Sequence, residues 1–520
     1  MSDTVESADQ ISGEGSRELK RSLARALRAQ KMRALAMIAP LLIFILVTFI
    51  APIADMLFRS VENEIVSDTL PLTVKALDDW DYSSGQAPSE KVFAAFYYDM
   101  YVASELKEHT RLGSRLNYET TGISSLFRKS GRRVDRFDTD IYTKQFTALD
   151  PAWAAPATWE TLAGALEETP DALPETAGAL KDYEHMLKAD GKTLAKTKPV
   201  DMLFTALYRD LAAGAPGPEG TLAPIFAQAK AAVGSFETVS IRDQFSAIDK
   251  GWLDPEVWGT IKAYAPKFTP GYFLTAIDYK LTPHGIEKQP EDQQVYLKLF
   301  WRTLVMSLAI TVSCILLGYP VAYLLANLPM RTSNLLMILV LLPFWTSLLV
   351  RTSAWKVLLQ NQGVINDLLV WAHIIGEDGR LALINNQTGT IIAMTHILLP
   401  FMILPLYSVM QTIPPTYVRA AKSLGATDWT AFWRVYFPQS VPGIGAGSIL
   451  VFILAIGYYI TPELVGGTSG IFISNRIAYH ISSSLNWGLA AALGSILLAA
   501  VMLLYWAYDK IVGIDNVKLG

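Results

Sequence analysis

Apolar residues form six stretches along the chain, each close to the length that crosses a bilayer as a helix. The first covers residues 34–58, and the others run from Leu297 to Leu328, Leu335 to Val350, Ile391 to Met410, Ile444 to Tyr459 and Leu489 to Trp506. A helix needs about 20 mainly apolar residues to span the hydrocarbon core. Several stretches contain proline, which is tolerated where neighbouring helices satisfy the freed carbonyls. The pattern predicts an all-α membrane protein with six transmembrane helices, some of them kinked.

Positive charge precedes the first apolar stretch, at Arg17, Lys20, Arg21, Arg25, Arg28, Lys31 and Arg33. Basic residues accumulate on the cytoplasmic side of membrane proteins, so residues 1–33 are predicted to be a cytoplasmic tail. The apolar run that follows is too long for the core of a signal peptide and is not followed by a small-residue cleavage site. Six crossings would return the tail 513–520 to the cytoplasm. The basic residues Lys298, Arg302, Arg351 and Lys356 fall near the outer face, so this topology depends mainly on the N-terminal cluster.

Residues 59–294, between the first and second apolar stretches, have the composition of a soluble domain. Segments such as Val92 to Glu108 and Val200 to Ala213 place apolar residues at helical spacing, and alternation typical of strands is scarce. With the N-terminus inside, this segment emerges on the opposite side of the membrane. We therefore expect a mainly helical periplasmic insert between the first two helices.

The insert contains an internal repeat. The segment QFTALDPAWAAPATWET, which begins at Gln145, aligns without gaps to QFSAIDKGWLDPEVWGT, which begins at Gln244. At the same offset Phe127 and Phe137 align with Phe226 and Phe236, and farther upstream AFYYDM resembles ALYRDL. The repeat predicts two related lobes, each with a pair of tryptophans. These tryptophans, Trp153, Trp159, Trp252 and Trp258, are either core anchors or an exposed aromatic surface for docking.

Composition and charge exclude several classes of function. The chain has 51% hydrophobic and 18% charged residues and a formal net charge of -4, so nothing indicates nucleic acid as a partner. Cys314 is the only cysteine, which rules out a disulfide framework or a cysteine metal cluster, and we expect it to be buried. The sequence has no P-loop and no HExxH, CxxC or GxSxG motif. We predict no catalytic residues, no metal and no cofactor in this chain. His396 lies within a crossing, where it is either a hydrogen-bonded packing residue or part of a proton pathway.

Residues 413–440, IPPTYVRAAKSLGATDWTAFWRVYFPQS, form a polar loop between two crossings. Pro414 and Pro415 predict a helix start, and Gly425 can adopt the left-handed conformation that ends a helix. Thr427 or Asp428 can cap a second helix, which Pro438 is expected to end. This elbow has small residues on one side and aromatic residues on the other, so it suits insertion into a groove on a partner protein.

The loop resembles the cytoplasmic loop of ABC-importer permeases, whose pattern is Glu-Ala-Ala, three residues, Gly, and a Pro about a dozen residues later. Ala420, Ala421, Gly425 and Pro438 match this pattern in register, whereas Arg419 stands where the family usually has Glu. The contact that this Glu makes with the ATPase is therefore not implied here. Three further segments, LPFWTSLLVRTSAWKVLLQNQGVIN, GYPVAYLLANLP and GYYITPELVGG, resemble the spermidine/putrescine permeases of such importers.

The resemblance implies the type I ABC importer permease fold, with a five-helix core at residues 295–512 in the bacterial inner membrane. It implies an ATPase dimer, which carries ATP and Mg, a second related permease subunit and a periplasmic binding protein as partners. The coupling loop would contact the ATPase through Arg419, Ala420, Ala421, Leu424, Gly425, Phe432 and Pro438. ATP hydrolysis then belongs to a separate subunit, and this chain is a transport subunit and not an enzyme.

The resemblance also implies a polyamine as solute. Aromatic faces at Trp345, Tyr458 and Tyr459 would each contribute about 0.5 to 2 kcal/mol to an ammonium group, and Glu463 would attract a cation. The same residues are also typical of helix anchors at the membrane interface. Arg351, Lys356 and Arg302 oppose a cation unless they point away from the path.

Other functions remain as alternatives. Related permeases carry other small organic solutes or iron. An ion-coupled secondary transporter usually needs more helices and two pseudo-symmetric halves. A membrane-anchored periplasmic binding or scaffold protein would explain the insert but leave five further spans unexplained.

Overall fold

A computed structural model describes residues 30–512. The basic residues from Arg17 to Arg28 and the tail 513–520 lie outside the described residues, so the predictions for both termini are not tested. The first unit of the chain ends at Arg59 and contains helix α1, Gln30–Arg59, with one π-helical turn at Leu46–Ile50. The apolar side chains of α1 are exposed along its length, which suits a helix that faces lipid.

The second unit begins at Ser60 and opens with the insert, which is mainly helical as predicted. Its helices are α2 Glu64–Thr69, α3 Pro71–Leu77, α4 Glu90–Glu105, α5 His109–Leu116, α6 Ile123–Gly131, α7 Asp140–Leu149, α8 Pro156–Glu168, α9 Pro174–Ala189, α10 Asp201–Ala212, α11 Ala223–Ala232, α12 Ile241–Ile248, α13 Pro255–Ala263 and α14 Gly271–Ala276. One antiparallel hairpin follows, β1 Tyr279–Thr282 and β2 Gly285–Lys288, with Tyr279 opposite Lys288.

Two aromatic clusters form the core of the insert, and each contains one of the predicted tryptophan pairs. Lobe B, residues 140–236, holds contacts between the rings of Phe146, Trp153, Trp159, Phe204, Phe226 and Phe236. Lobe A, residues 71–137 and 241–263, holds contacts between Phe93, Phe96, Phe127, Phe137, Phe245, Trp252 and Trp258. Each cluster thus joins the tryptophans of one repeat to the phenylalanines of the other.

Equivalent side-chain hydrogen bonds also occur in the two copies of the repeat. The indole of Trp159 donates to the carbonyl of Trp153 at 2.9 Å, and that of Trp258 donates to Trp252 at 2.7 Å. Gln145 accepts from the amide of Glu237 at 2.7 Å, and the equivalent Gln244 accepts from Asp138 at 2.9 Å. All four tryptophans are fully buried. They are therefore core anchors, and the alternative of an exposed aromatic docking surface is wrong.

The membrane core follows the insert. Its helices are α15 Tyr296–Asn327, α16 Met330–Leu341, α17 Leu348–Leu358, α18 Val364–Trp371, α19 Gln387–Thr412, α20 Pro415–Ser423, α21 Asp428–Gly457, α22 Ile460–Val465, α23 Gly467–Gly470, α24 Ile473–Ser482 and α25 Trp487–Val512. Helices α15, α19 and α21 pack together around buried residues that include Cys314, Met394, Met402 and Val451. Cys314 is buried as expected.

Within residues 30–512, five helices are long and apolar enough to cross a membrane, namely α1, α15, α19, α21 and α25. The predicted span from Leu335 to Val350 is instead broken. A short 3-10 turn, Leu342–Trp345, follows α16, and α17 leaves at an angle of 96°. Pro343 lies in this turn, and the Ser347 hydroxyl accepts from the amide of Val350 to cap α17. If this bent pair crosses once, the helices allow six spans.

The loop prediction was wrong at Pro438, which does not end the second helix of the elbow. Helix α21 runs through it from Asp428 to Gly457, so this span begins well before the predicted Ile444. A π-helical turn at Phe432–Tyr436 precedes the proline, and the amide of Phe437 donates to the carbonyl of Phe432. This wider turn shifts the backbone hydrogen bonds by one residue just before Pro438, which has no N–H to donate.

The insert is joined closely to the membrane core. The Asp278 carboxylate accepts from the amides of Val295, Tyr296 and Leu297 at 2.9 to 3.1 Å, which caps the start of α15. The two ends of the insert lie side by side, because Thr269 donates to the carbonyl of Val61 at 2.8 Å.

Candidate coupling elbow and solute path

The elbow turns just after α20, at Gly425, whose φ of 92° lies in the left-handed region. The amide of Gly425 donates to the carbonyl of Lys422, and that of Ala426 donates to Ala421, both at 3.0 Å. These two bonds are the Schellman arrangement that closes a helix C-terminus. The glycine therefore turns the chain as the sequence predicted.

The second helix of the elbow is fixed at its start and on one face. Thr427 is the N-cap and accepts from the amide of Thr430, while Asp428 forms an ion pair with Lys422 across the turn. The ring of Phe432 packs edge-on against Tyr323 at 5.6 Å. Phe432 thus anchors the elbow to α15.

The predicted coupling residues fall into two groups. Arg419, Ala420 and Leu424 are exposed, and Leu424 reaches 89% exposure. Trp429, which lies on the same loop, is 72% exposed. Phe432 is instead half-buried within the protein. The elbow therefore leaves the apolar side chains of Leu424 and Trp429 exposed, while Phe432 packs against α15.

Three of the predicted path residues lie together at the break between α21 and α22. The carbonyls of Tyr458 and Tyr459 accept from Ser474 Oγ at 3.0 Å and Asn475 Nδ2 at 2.9 Å. Asn475 also donates to Glu463 Oε2 at 2.6 Å. Side chains in the first turn of α24 therefore donate to the backbone carbonyls at the helix break and hold the Glu463 carboxylate in place. Trp345 lies apart from these contacts, in the turn between α16 and α17, and is 76% exposed.

The structure adds Ser474 and Asn475, which the sequence analysis did not select, and gives the surroundings of His396 and Arg351, which it named. Ser474 and Asn475 hold the helix break, but their short polar segment carries no recognisable motif. Trp355 Nε1 donates to His396 Nδ1 at 3.0 Å, so His396 is hydrogen-bonded, and its alternative role in a proton pathway is not tested. Arg351 lies one turn before Trp355 on α17, and its Nε and Nη1 are buried without a partner among the described residues. In the sequence, Arg351 stands out because it is a charged residue directly after an apolar stretch.

Comparison with known proteins points to one family. Residues 295–512 match the family described as "Binding-protein-dependent transport system inner membrane component". The chain is 34% identical over 220 residues to the spermidine/putrescine transport system permease protein PotB of Salmonella typhimurium, covering 42% of this chain and 76% of that protein. It is 36% identical over 220 residues to PotB of Haemophilus influenzae, with the same coverage of 42% and 76%.

A solved bacterial alginate ABC transporter, in complex with an alginate pentasaccharide-bound periplasmic protein, has a chain that is 18% identical to this one. The match covers 43% of this chain and 80% of that chain, with a TM-score of 0.35.

Proposed function

Because this chain belongs to the family of inner membrane permease subunits of ABC importers, we propose that it carries a small cationic amine such as spermidine or putrescine. The observation that supports this solute is the identity of 34% over 220 residues to a spermidine/putrescine permease. Subunits of this family transport solute and leave ATP hydrolysis to a separate ATPase. Permeases for another small organic solute or for iron are the alternatives.

The proposed topology has six crossings, formed by α1, α15, the bent pair α16 and α17, α19, α21 and α25. Residues 1–33 and 513–520 lie in the cytoplasm, and the insert, residues 59–294, lies in the periplasm. The support is the basic cluster before α1, since positive residues remain inside. In this topology the elbow, residues 413–440, faces the cytoplasm.

The proposed partners follow from that arrangement. An ATPase dimer, which holds ATP and Mg, engages the exposed Leu424 and Trp429 of the elbow. A second related permease subunit completes the path, and a periplasmic binding protein delivers the solute to the insert. Coupling follows if the two permeases rock between two packings as the ATPases close.

The proposed path passes the break between α21 and α22. Tyr458 and Tyr459 offer aromatic faces to an ammonium group, and the Glu463 carboxylate, held by Asn475, offers a negative charge. Trp345 is included in the proposed path because its ring is exposed at the bend between α16 and α17.

Uptake of labelled putrescine into vesicles that contain the assembled importer tests the solute. We expect uptake to require the ATPase and the binding protein. Glu463→Gln should raise the half-saturating concentration of putrescine, because Gln keeps the acceptor for Asn475 but loses the charge. Glu291→Gln, in an exposed turn of the insert, is the control. Uptake driven by an ion gradient without the ATPase would contradict an ABC importer, and preference for an anionic or neutral solute would contradict the amine.

Removal of the insert tests its role in docking. Deletion of residues 64–266 spares Asp278, which caps α15, and joins two positions that are already paired, since Asn63 donates to Lys267 at 2.8 Å. We expect the shortened chain to insert normally but to lose stimulation of ATPase activity by the binding protein. Unchanged stimulation would leave the insert without a role in docking.

A further inference from the structure

Arg351 is half-buried, and two of its guanidinium nitrogens have no hydrogen-bond acceptor within the described residues. It lies in the first turn of α17, just after the bend, and its Nε and Nη1 are inaccessible to solvent and have no hydrogen-bond partner within residues 30–512. A buried charge that lacks a partner is strongly unfavourable. An anionic acceptor would satisfy both nitrogens, and the described part of this chain does not supply one.

The groups that surround Arg351 are hydrogen-bond donors. His396 Nδ1 accepts from Trp355, so the other ring nitrogen of the neutral imidazole carries the proton. Helix α17, which carries Arg351, is joined to α19 by the bond from Trp355 to His396 and to α22 by the hydroxyls of Thr352 and Thr461 at 3.1 Å.

The nearby acceptors are already engaged. The carbonyls of Ile456 and Tyr458 accept from Ser474 Oγ, both at 3.0 Å. Glu463 is the acidic side chain of the helix that follows the break, and it accepts from Asn475 at 2.6 Å. Helix α24 therefore bonds to the carbonyls that the break exposes and to one oxygen of Glu463, whereas Nε and Nη1 of Arg351 receive no acceptor from the described residues.

We infer that Arg351 pairs with a carboxylate, or a similar oxyanion, that comes from outside this chain. A planar guanidinium binds such a group through two parallel N–H bonds. Two sources carry this chemistry in the importer, an acidic side chain of the second permease subunit and a solute that bears a carboxylate. The inference rests on the proposed function, because either source exists only in the assembled transporter.

The first experiment measures the full chain purified alone in detergent. Arg351→Met removes the unpaired charge and keeps an unbranched apolar side chain, so we expect a thermal midpoint several degrees higher than that of the unmodified chain. Lys356→Met, which removes an exposed cation from the same helix, should leave the midpoint unchanged. A lower midpoint for Arg351→Met would show that the guanidinium already has a partner within the chain and would overturn the inference.

The second experiment uses the assembled importer with its ATPase, second permease and binding protein. If the second permease supplies the acceptor, Arg351→Met should reduce its co-purification by about tenfold or more, and Arg351→Lys should retain part of it. If the solute supplies the acceptor, assembly should be normal. Uptake of a carboxylate-bearing amine should then need an about tenfold higher concentration, while putrescine uptake is unaffected.

A result in which Arg351→Met matches Lys356→Met in both assembly and uptake would overturn the inference. An importer that rejects putrescine but still depends on Arg351 would contradict the proposed solute and leave the acceptor site standing. The two proposals therefore fail through different measurements.

Discussion

At the elbow, the direction of the chain depends on the conformation of one residue, Gly425. Its φ is 92°, and no atom lies within 4 Å of the position that a Cβ would occupy. A side chain there would meet no steric neighbour within the protein, so a substitution acts through backbone strain alone. The bonds that close α20 and the cap of α21 both depend on this turn.

Gly425→Val should cost about 1 to 3 kcal/mol in the native elbow geometry, because a β-branched residue strongly disfavours a positive φ. We expect lower retention of the ATPase and slower uptake, with normal insertion into the membrane. Gly376→Val is the matched control, since Gly376 also lies in open space but has a φ of −82°. Normal uptake together with normal ATPase activity in Gly425→Val would contradict the role of the elbow.

A second residue-scale feature is a pair of carboxyl groups inside the insert. Asp99 accepts from the amide and hydroxyl of Thr73 at 2.7 and 2.6 Å and lies against Asp182. Burial, with the nearby Asp182, raises the pKa of Asp99 well above its usual range, and burial also raises the pKa of Asp182. Two neighbouring buried carboxylates do not both ionise readily, so we expect the pair to share a proton.

A raised pKa in the folded state means that this pair stabilises the insert most at low pH, and that the contribution is lost as the pH rises through the folded pKa. Asp182→Asn places a permanent N–H donor beside Asp99. We expect the thermal midpoint, followed through tryptophan fluorescence, to fall less between about pH 5 and about pH 8 than in the unmodified chain. Asp171→Asn, at an exposed position, should not change the slope. Parallel curves for all three proteins would exclude the shared proton.

At the scale of elements, the insert closes its lobes across the repeat. Phe127 of the first copy packs against Trp252 of the second at 5.4 Å, and Phe226 of the second packs against Trp153 of the first at 5.1 Å. Lobe B is therefore one continuous segment, whereas lobe A is completed only when the chain returns to it. This arrangement brings the two ends of the insert together above the membrane helices.

Trp252→Ala should destabilise lobe A by about 3 to 5 kcal/mol, as expected for a fully buried tryptophan. Hydrogen exchange should increase in α4 and α6, which lie far away in sequence but contact Trp252 through Phe96 and Phe127. Trp153→Ala should instead increase exchange in lobe B. Trp371→Ala, at a position that is 79% exposed, should change little. Increased exchange in α8 for Trp252→Ala would contradict the closure.

Much of this element structure could be predicted from the sequence, and the failures have physical causes. Periodicity identified the helical insert, and the aligned tryptophans identified two lobes. The sequence could not show whether the tryptophans of one copy pack against the phenylalanines of the same copy or of the other copy, because both arrangements bury the same rings. It also could not show that α21 continues through Pro438, since the π-helical turn at Phe432–Tyr436 is stabilised by packing against Tyr319 and Tyr323.

At the scale of the whole molecule, the insert and the last membrane helices form one packed body. Arg115 of α5 pairs with Glu119 at 2.6 Å and donates to the Tyr272 hydroxyl at 2.9 Å. The Tyr272 ring covers Gly488 so closely that a Cβ there would lie 2.3 Å from it. The insert therefore packs directly against the first turn of α25. Packing of this kind between distant segments was beyond the reach of the sequence analysis.

The orientation of this body in the membrane can be measured with cysteine labelling. Cys314 is the only cysteine and is buried, so the native chain should react little with a membrane-impermeant maleimide. Glu219→Cys lies in the exposed loop between α10 and α11, and Leu424→Cys lies at the tip of the elbow. In intact spheroplasts we expect Glu219→Cys to be labelled and Leu424→Cys to be protected.

After the membrane is permeabilised, both variants should react, because both side chains are exposed on the protein itself. In inverted vesicles the order should reverse, with Leu424→Cys labelled first. This expectation follows from the proposed topology, in which the basic residues before α1 keep the N-terminus inside, the insert lies outside and the elbow lies on the side of the proposed ATPase. Labelling of Leu424→Cys in sealed spheroplasts would invert the topology and would separate the elbow from any cytoplasmic ATPase.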